Sequence, residues 1–304
     1  MKTFYDKTLI DLAEPNLVHD QFADKRNIPA NGGKTIEFRK FSSLPKALTP
    51  LTEGVTPKGN KLNVSTITAE VKQYGDYIVQ TDVLELTSID NTIVEATQIL
   101  GNQAGLTVDT IHRNIFNAGT NVYFAPDGAT EVTSRKNLTA NSKMTGDLVK
   151  RVATKLKSVN APKIDGYYVA VIHPHVAYDL STDELWMDVQ KYATPENMLK
   201  GELGKLHGVR FVESTEAQIF TGESCPDGLA VYSTLFFGAN ATGITEIEGG
   251  GLQTNVKQKG SGEDPHTQRS SVGWKTMTTA EILVQEYLVR CESCSTYSNT
   301  AEAN

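Results

Sequence analysis

The sequence predicts an α+β fold in which a strand ribbon and one long helix accompany a compact α/β unit. Three observations predict it. Residues 34–81 alternate apolar and polar side chains in two runs that a turn-rich stretch separates. Residues 86–115 carry apolar side chains at spacings of three and four. Residues 167–172 (YYVAVI) are almost continuously apolar and lie between two helical patterns, and the final third of the chain is strand-like again.

Composition limits the function classes. The 304 residues suffice to bury a large core, and 39% apolar with 21% charged residues indicates an ordered globular protein. The net charge of -7 disfavours tight nucleic-acid binding, which needs a basic excess. No apolar run is long enough for a membrane span and the N-terminus has no apolar export signal, so we expect a soluble protein with no membrane contact. Three cysteines are too few for a disulfide framework, which favours a reducing cytoplasm.

The first two elements are an arm and a ribbon. Residues 1–33 show no sustained period and end in two glycines, which predicts an extended arm that packs through scattered apolar side chains. Residues 34–81 predict a long two-stranded ribbon with a large tip. In its second strand the apolar positions change phase, which predicts a β-bulge near Ser65–Thr66 and places Tyr77 and Val79 on the same face as Ile67.

The charge of the ribbon differs from that of the remaining chain. It has seven Lys and Arg against four Asp and Glu, a net charge of +3 that leaves -10 elsewhere. Two strands bury too little to be stable alone, so the ribbon needs support from another surface. A basic ribbon on an acidic body is suited to contact a neighbouring copy of the chain.

A helix of about 30 residues, about 45 Å long, is predicted next. TSID at residues 87–90 is a candidate capping box, and NAG at residues 117–119 supplies the stop. Its apolar positions are Leu86, Ile89, Ile93, Thr97, Leu100, Ala104, Ile111 and Ile115.

The compact unit follows a polar connector at residues 121–143. It contains a predicted amphipathic helix at 145–158, a strand at 167–172 covered on both faces, a helix from 174 to about 180, and strands at 208–213 and 228–237. Residues 243–290 are β-rich and end in one long strand-like run over 270–290.

The candidate chemical motifs are weak. Cys291 and Cys294 form a CxxC that could be half a zinc site or a redox pair, but no second ligand pair has the required spacing, so inert thiols are favoured. His173 and His175 could ligate a metal, and histidines that hydrogen-bond at a strand end are the simpler interpretation. Three glycines at 249–251 predict a turn. Isolated carboxylates such as those of Glu213 and Glu216 are best explained as surface groups. We therefore predict no catalytic, cofactor-binding or metal residue and no enzyme.

Several motifs occur in a consistent order: ADKRNIPANGGKTIEFRKFSSLPKALTPLTEGVTPKG (23–59), YGDYIVQTDVLELTSID (74–90), VAVIHPHVAYDL (169–180), GELGKLHGVRFVES (201–214) and DPHTQRSSVGWK (264–275). Together they closely resemble the major capsid protein family of N-four-like tailed phages, whose members adopt the Hong Kong 97-type coat fold. The resemblance runs from about residue 20 to about residue 290. It implies an N-terminal arm at 1–33, an extended β-loop at 34–81, a peripheral domain with a long spine helix at 82–144 and 241–290, an axial domain at 145–240 and a C-terminal tail at 291–304.

The resemblance implies a structural major capsid protein that self-assembles through hexameric and pentameric capsomers into the icosahedral head around the double-stranded DNA of a tailed phage. Its implied partners are other copies of itself and portal, scaffold or decoration proteins, and the DNA is enclosed without sequence-specific binding. It implies location in the virion capsid after assembly in the host cytoplasm. The alternatives are a cellular encapsulin-like shell of the same fold and, from another class, a metal-dependent enzyme that uses His173 and His175.

The extended loop is the predicted contact between subunits. No cofactor is expected there, and no motif identifies a covalent cross-link. The predicted contact residues are Arg39, Lys46, Glu53, Lys58 and Lys61.

Overall fold

The computed structural model describes residues 9, 17–41, 44–56, 59–87, 92–184, 186, 204–226, 228–257, 259, 266, 268–300 and 302–304. Its mixture of helices and two larger sheets confirms the predicted α+β class. Within these residues, no helix has the length and apolar character that crossing a bilayer requires.

The described helices are α1 (Asp82–Thr87), α2 (Thr92–Asn117), α3 (Gly146–Ser158) and α4 (Pro174–Ser181). The described strands are β1 (Asp24–Ile28), β2 (Thr35–Phe41), β3 (Val64–Glu70), β4 (Lys72–Thr81), β5 (Val122–Phe124), β6 (Tyr168–Ile172), β7 (Lys205–Leu206), β8 (Val209–Glu213), β9 (Ile219–Phe220), β10 (Val231–Phe237), β11 (Thr242–Ile247), β12 (Gln253–Lys257), β13 (Arg269–Ile282) and β14 (Leu288–Ser293).

The first sheet is built around the long strand β13. The strand order is β1-β11-β13-β12, and β4 also pairs with β13, antiparallel over ten residue pairs. Helix α2 covers one face of this sheet, where Leu100 and Ala104 pack with Val272 and Trp274. The buried stripe of α2 confirms the predicted long amphipathic helix, with 26 described residues against the expected 30. It ends at Asn117 as predicted, whereas the capping box at 87–90 lies largely outside the described residues.

The start of the predicted helix is wrong. Leu86 was expected on the buried stripe, but it belongs to the separate helix α1 and is 81% exposed. The apolar spacings of three and four extend over both described helices, so the pattern alone did not distinguish them.

The second sheet has the strand order β5-β14-β10-β6-β8-β7, with β9 paired to β10. Every residue of β6 and β10 is buried, which confirms the prediction of a strand covered on both faces. Thr145 is the N-cap of helix α3, and its hydroxyl accepts a hydrogen bond from the Leu148 amide. The helix buries Leu148 and Val152 against this sheet. Helix α4 also lies where it was predicted.

Two expectations about strands are wrong. The run over 270–290 is not one strand: β13 ends at Ile282, and β14 pairs with β10 in the second sheet. No bulge occurs at Ser65–Thr66, because β2 and β3 pair in regular register from Phe41 opposite Val64 to Thr35 opposite Glu70. The change of phase comes after Val71, where the chain leaves the ribbon for the first sheet, so that Tyr77 and Val79 are exposed.

The ribbon itself is therefore shorter than predicted. It comprises β2 and β3 alone, since β4 pairs with β13 and not with β2. The arm differs as well, because it includes strand β1, which pairs in parallel with β11. Sequence periodicity missed β1 because three of its five residues are exposed.

Two buried His–Asp pairs attach the arm to α2. The His19 ring lies 2.8 Å from a carboxylate oxygen of Asp109, and the His112 ring lies 2.5 Å from Asp20. The other ring nitrogen of His112 is 3.0 Å from the hydroxyl of Thr278 on β13. Adjacent residues of the arm thus hold two positions one helical turn apart on α2, which fixes arm, helix and sheet to one another.

Candidate assembly surface

The segment from Phe41 to Leu86 concentrates the exposed apolar surface of the molecule. Twelve of the sixteen large hydrophobic side chains that are exposed among the described residues lie in it. We call them the exposed apolar set: Phe41, Leu44, Leu48, Leu51, Val55, Leu62, Val64, Tyr77, Val79, Val83, Leu84 and Leu86.

The tip of the ribbon carries highly exposed leucines. Leu48 and Leu51 are 82% and 79% exposed, which is unusual for leucine. Single exposed apolar side chains need no explanation, but a concentration of them indicates a surface that another molecule covers. The tip therefore has the chemistry of an interface.

The base of the ribbon, in contrast, is seated on the body. Phe38, Ala69 and Val71 are at most 6% exposed. The Arg26 guanidinium lies 5.5 Å from the centroid of the Phe38 ring, and the Val71 amide donates to the Lys34 carbonyl at 2.9 Å. The ribbon thus projects from a fixed base toward an exposed tip.

Two glycines allow the strand after the ribbon to lie close to β13. A Cβ at Gly75 would lie 2.5 Å from the Trp274 carbonyl oxygen, and one at Gly273 would lie 2.6 Å from the Tyr77 Cβ. Asp76 accepts hydrogen bonds from the Gln103 amide and the Tyr77 backbone, which hold the pKa of its carboxyl below the usual value. Both features fix β4, and through it the ribbon base, to β13 and α2.

The predicted contact residues occupy this segment. Arg39 lies on β2 opposite Thr66, and Lys46, Glu53 and Lys61 are exposed in the tip; Lys58 lies outside the described residues. Their role stays a prediction.

The prediction based on charge missed the apolar side chains that share the tip. The sequence does contain an indication of them. Apolar residues occur within the turn-rich stretch: Leu44, Leu48, Leu51 and Val55.

The two candidate histidines have structural partners. His173 is the N-cap of α4, and its ring accepts a hydrogen bond from the His175 amide at 3.1 Å. Burial, with a smaller contribution from nearby His175, lowers the pKa of His173 to about 4. The His175 ring lies 2.8 Å from the Tyr232 hydroxyl. The expectation that these rings hydrogen-bond at a strand end is confirmed.

The candidate thiols are buried. Cys291 and Cys294 are both fully covered, and burial raises the pKa of each thiol, to about 11 at Cys294. Thiolate chemistry needs the opposite shift. In the described part of the chain, no group of three or more His, Cys, Asp or Glu side chains has a geometry that could hold a metal ion. The three glycines at 249–251 form the predicted turn between β11 and β12, with Gly249 at a φ of 78°.

Comparison with protein families identifies the family of the chain. The family model described as "Phage capsid protein" matches residues 89–276, more than half of the chain. The chain belongs to the phage capsid protein family. It is a major capsid protein, a structural component of the virion, and the N-four-like subgroup stays a prediction.

Solved structures show the coat fold of the Hong Kong 97 type in this capsid protein. The capsid of cyanophage P-SCSP1u matches with a TM-score of 0.70 and 14% identity over 92% of this chain and 89% of that chain. The capsid of Ralstonia phage GP4 matches with a TM-score of 0.69 and 14% identity over the same shares. A virus-like particle from Pyrococcus furiosus matches less well, with a TM-score of 0.54 and 10% identity over 95% of this chain and 98% of that chain. No curated protein sequence matches the capsid protein.

Proposed function

We propose that this capsid protein builds hexameric and pentameric capsomers, which close into the icosahedral head around the double-stranded DNA of a tailed phage. The single observation that carries the proposal is the exposed apolar set, which lies on the projecting ribbon and on the adjoining β4 and α1. The described residues leave that surface exposed, whereas a neighbouring copy can cover it, and repeated head-to-tail contacts of this kind close into rings. The net charge of -7 suits a container wall that does not bind the enclosed DNA tightly.

The proposed domain boundaries take account of the pairing of strands. We propose an arm at 1–33, an extended loop at 34–81, a peripheral domain at 82–144 and 241–287, and an axial domain at 145–240. Strand β14 pairs with β10, so we assign residues 288–304 to the axial domain and not to a separate tail. The proposed subunit contacts of the loop include Arg39, Lys46, Glu53, Lys58 and Lys61.

The remaining details rest on the family resemblance. We propose assembly in the host cytoplasm with portal, scaffold or decoration proteins, and no catalytic activity. Stoichiometric zinc in the purified protein that is lost in a His173→Ala variant would contradict the last point. A cellular encapsulin-like shell is the second candidate, which the Pyrococcus furiosus particle of the same fold favours. Cargo protein without DNA inside purified shells would support that candidate.

The test of the assembly role is deletion of residues 43–60. The deletion removes the tip and leaves the paired strands β2 and β3 intact, so we expect a folded subunit by circular dichroism that forms no closed shells by negative-stain microscopy. A matched control replaces residues 43–60 with a glycine-serine segment of equal length. If side chains of the tip make the contact, this control also fails to form shells. Normal shells from either variant would refute the proposed role of the ribbon.

A further inference from the structure

Strand β5 is an unpaired edge of the second sheet. It pairs in parallel with β14 on one side, where the Asn121 carbonyl accepts from the Arg290 amide and the Ala125 amide donates to the Glu292 carbonyl, each at 2.9 Å. Backbone groups alternate in direction along a strand, so those of Val122 and Phe124 point to the opposite edge. No other strand in the described part of the chain pairs with β5 there. An extended peptide could therefore add to this edge.

An open groove runs beside the edge. Its volume is about 720 Å³, and it is lined by β5, one face of α3 and residues 126 and 131–133 of the connector between them. The α3 side chains of this face extend over almost the whole helix, about 16 Å at 1.5 Å per residue, which matches about five residues of extended chain. These side chains are Asp147, Lys150, Arg151, Thr154, Lys155 and Ser158.

The groove is locally basic in an acidic protein. It contains three basic side chains against Glu131 and Asp147. Arg151 donates to the Glu131 carboxylate at 2.5 Å, and Asp147 lies near enough to raise the pKa of this arginine slightly further. Lys150 and Lys155 form no ion pair with any described residue. Two cations on the groove wall are therefore free to meet carboxylates of a bound segment.

We propose that this groove binds an acidic extended segment of a separate polypeptide, which adds as a strand to β5 and places its carboxylates against Lys150 and Lys155. The projecting ribbon of a second copy is a poor occupant, because its exposed tip carries Lys46 and Lys61. Duplex DNA is also a poor occupant, because it cannot pair with the backbone of a strand edge. The groove is separate from the exposed apolar set, so it is a second interaction surface of the capsid protein.

Fluorescence anisotropy with labelled, terminally capped peptides tests the inference on the full chain. The probe is the peptide TEVEVET, and its controls are TKVKVKT, with reversed charge, and TEVEPET, which keeps the charge but cannot pair fully as a strand. We expect the acidic probe to bind at least about tenfold more tightly than either control. A short DNA duplex should compete weakly.

Variants locate the site. Lys150→Glu with Lys155→Glu should weaken binding of the acidic probe at least about tenfold, because two carboxylates replace the two cations. The matched control is Lys157→Glu, since Lys157 is exposed on α3 but does not line the groove. No binding of the acidic probe, equal binding of all three peptides, equal binding to the double variant, or preference for DNA would each overturn the inference. The two proposals can fail separately. If the acidic probe does not bind but shells form normally, the groove proposal fails and the assembly role stands. Deletion of residues 43–60 should prevent shell formation without changing the affinity for the acidic probe.

Discussion

Strand β10 and the exposed apolar set are both rich in large apolar side chains, yet they end in opposite environments. All seven residues of β10 are buried between β14 and β6, with helices and loops over both faces. Leu48 and Leu51 at the ribbon tip are about as apolar and are almost fully exposed. The hydrophobic effect acts on both regions alike. The difference shows that folding buries one region and leaves the other exposed, and we propose that association of chains covers the second.

Substitution of apolar side chains should separate the two regions most strongly. Phe236 on β10 is fully buried and contacts Phe211 edge-on with ring centroids 6.4 Å apart. Phe236→Ala should lower the free energy of unfolding by about 3–5 kcal/mol, because it leaves a cavity in the core. Leu48→Ser with Leu51→Ser should change it by less than about 0.5 kcal/mol and yet prevent shell formation. Chemical denaturation and negative-stain microscopy measure the two quantities.

The control for the ribbon variant keeps the side chains apolar. Leu48→Met with Leu51→Met should leave both stability and shell formation close to those of the unchanged chain. Loss of more than about 2 kcal/mol in the serine variant would show that the tip packs within its own subunit, contrary to the comparison.

Charged side chains give the same contrast with a smaller effect. Glu292 on β14 is buried and accepts two hydrogen bonds of 2.6 Å from the Arg135 guanidinium, and the Arg290 side chain lies 2.9 Å away. Arg135 also stacks 3.6 Å above the Phe220 ring. Glu292→Gln should lower the free energy of unfolding by about 3 kcal/mol, because two arginines lose their shared counter-charge in a largely buried site.

The matched control is the exposed pair of Glu131 and Arg151. Their side chains are 71% and 48% exposed, so water and salt screen the attraction. Glu131→Gln should cost less than about 1 kcal/mol in the same denaturation experiment. Equal costs for the two substitutions would mean that burial does not distinguish these ion pairs.

Local elements were predictable from the sequence because their signals lie within a few residues. The runs that became α3, α4 and β6 carry their own period and boundaries, and the structure places them within two residues of the prediction. The same holds for the end of α2 at Asn117. The pairing partners were not predictable in this way. Strand β4 pairs with β13 almost 200 residues later, and the Arg135 to Glu292 contact spans 157 positions. Alternation along β3 and β4 looks the same whether the strand continues a ribbon or enters a sheet.

The sequence predicted the location and the charged residues of the candidate site, but not its apolar side chains. Turn residues and charge located the ribbon, and the excess of basic side chains directed attention to Arg39 and Lys46. The apolar side chains of the tip were missed because an apolar residue in sequence is normally read as core. The structure shows that Leu48 and Leu51 are 82% and 79% exposed, which is the observation behind their proposed place in an interface between chains.

The smallest effect predicted for a buried side chain is a pH dependence that comes from His173, between β6 and α4. His173 has a folded-state pKa of about 4 against an ordinary value of 6.5, so between these values the unfolded chain binds a proton that the folded chain does not. Stability is therefore lost as the pH falls from about 6.5 toward 4, by about 2 kcal/mol between pH 7 and pH 4.5. His173→Asn keeps a side-chain acceptor at the N-cap of α4 and removes this titration. Its free energy of unfolding should fall about 2 kcal/mol less over the same interval.

The control for this measurement is His207→Asn, which replaces an exposed histidine in the turn between β7 and β8, where a φ of 50° also suits asparagine. Urea denaturation at the two pH values should give this control the same loss as the unchanged chain. If His173→Asn also shows that loss, the buried ring does not control the acid sensitivity of the body. Shell formation by the folded His173→Asn variant at pH 7 should be normal, because His173 lies between β6 and α4, apart from the ribbon that we propose as the contact between subunits.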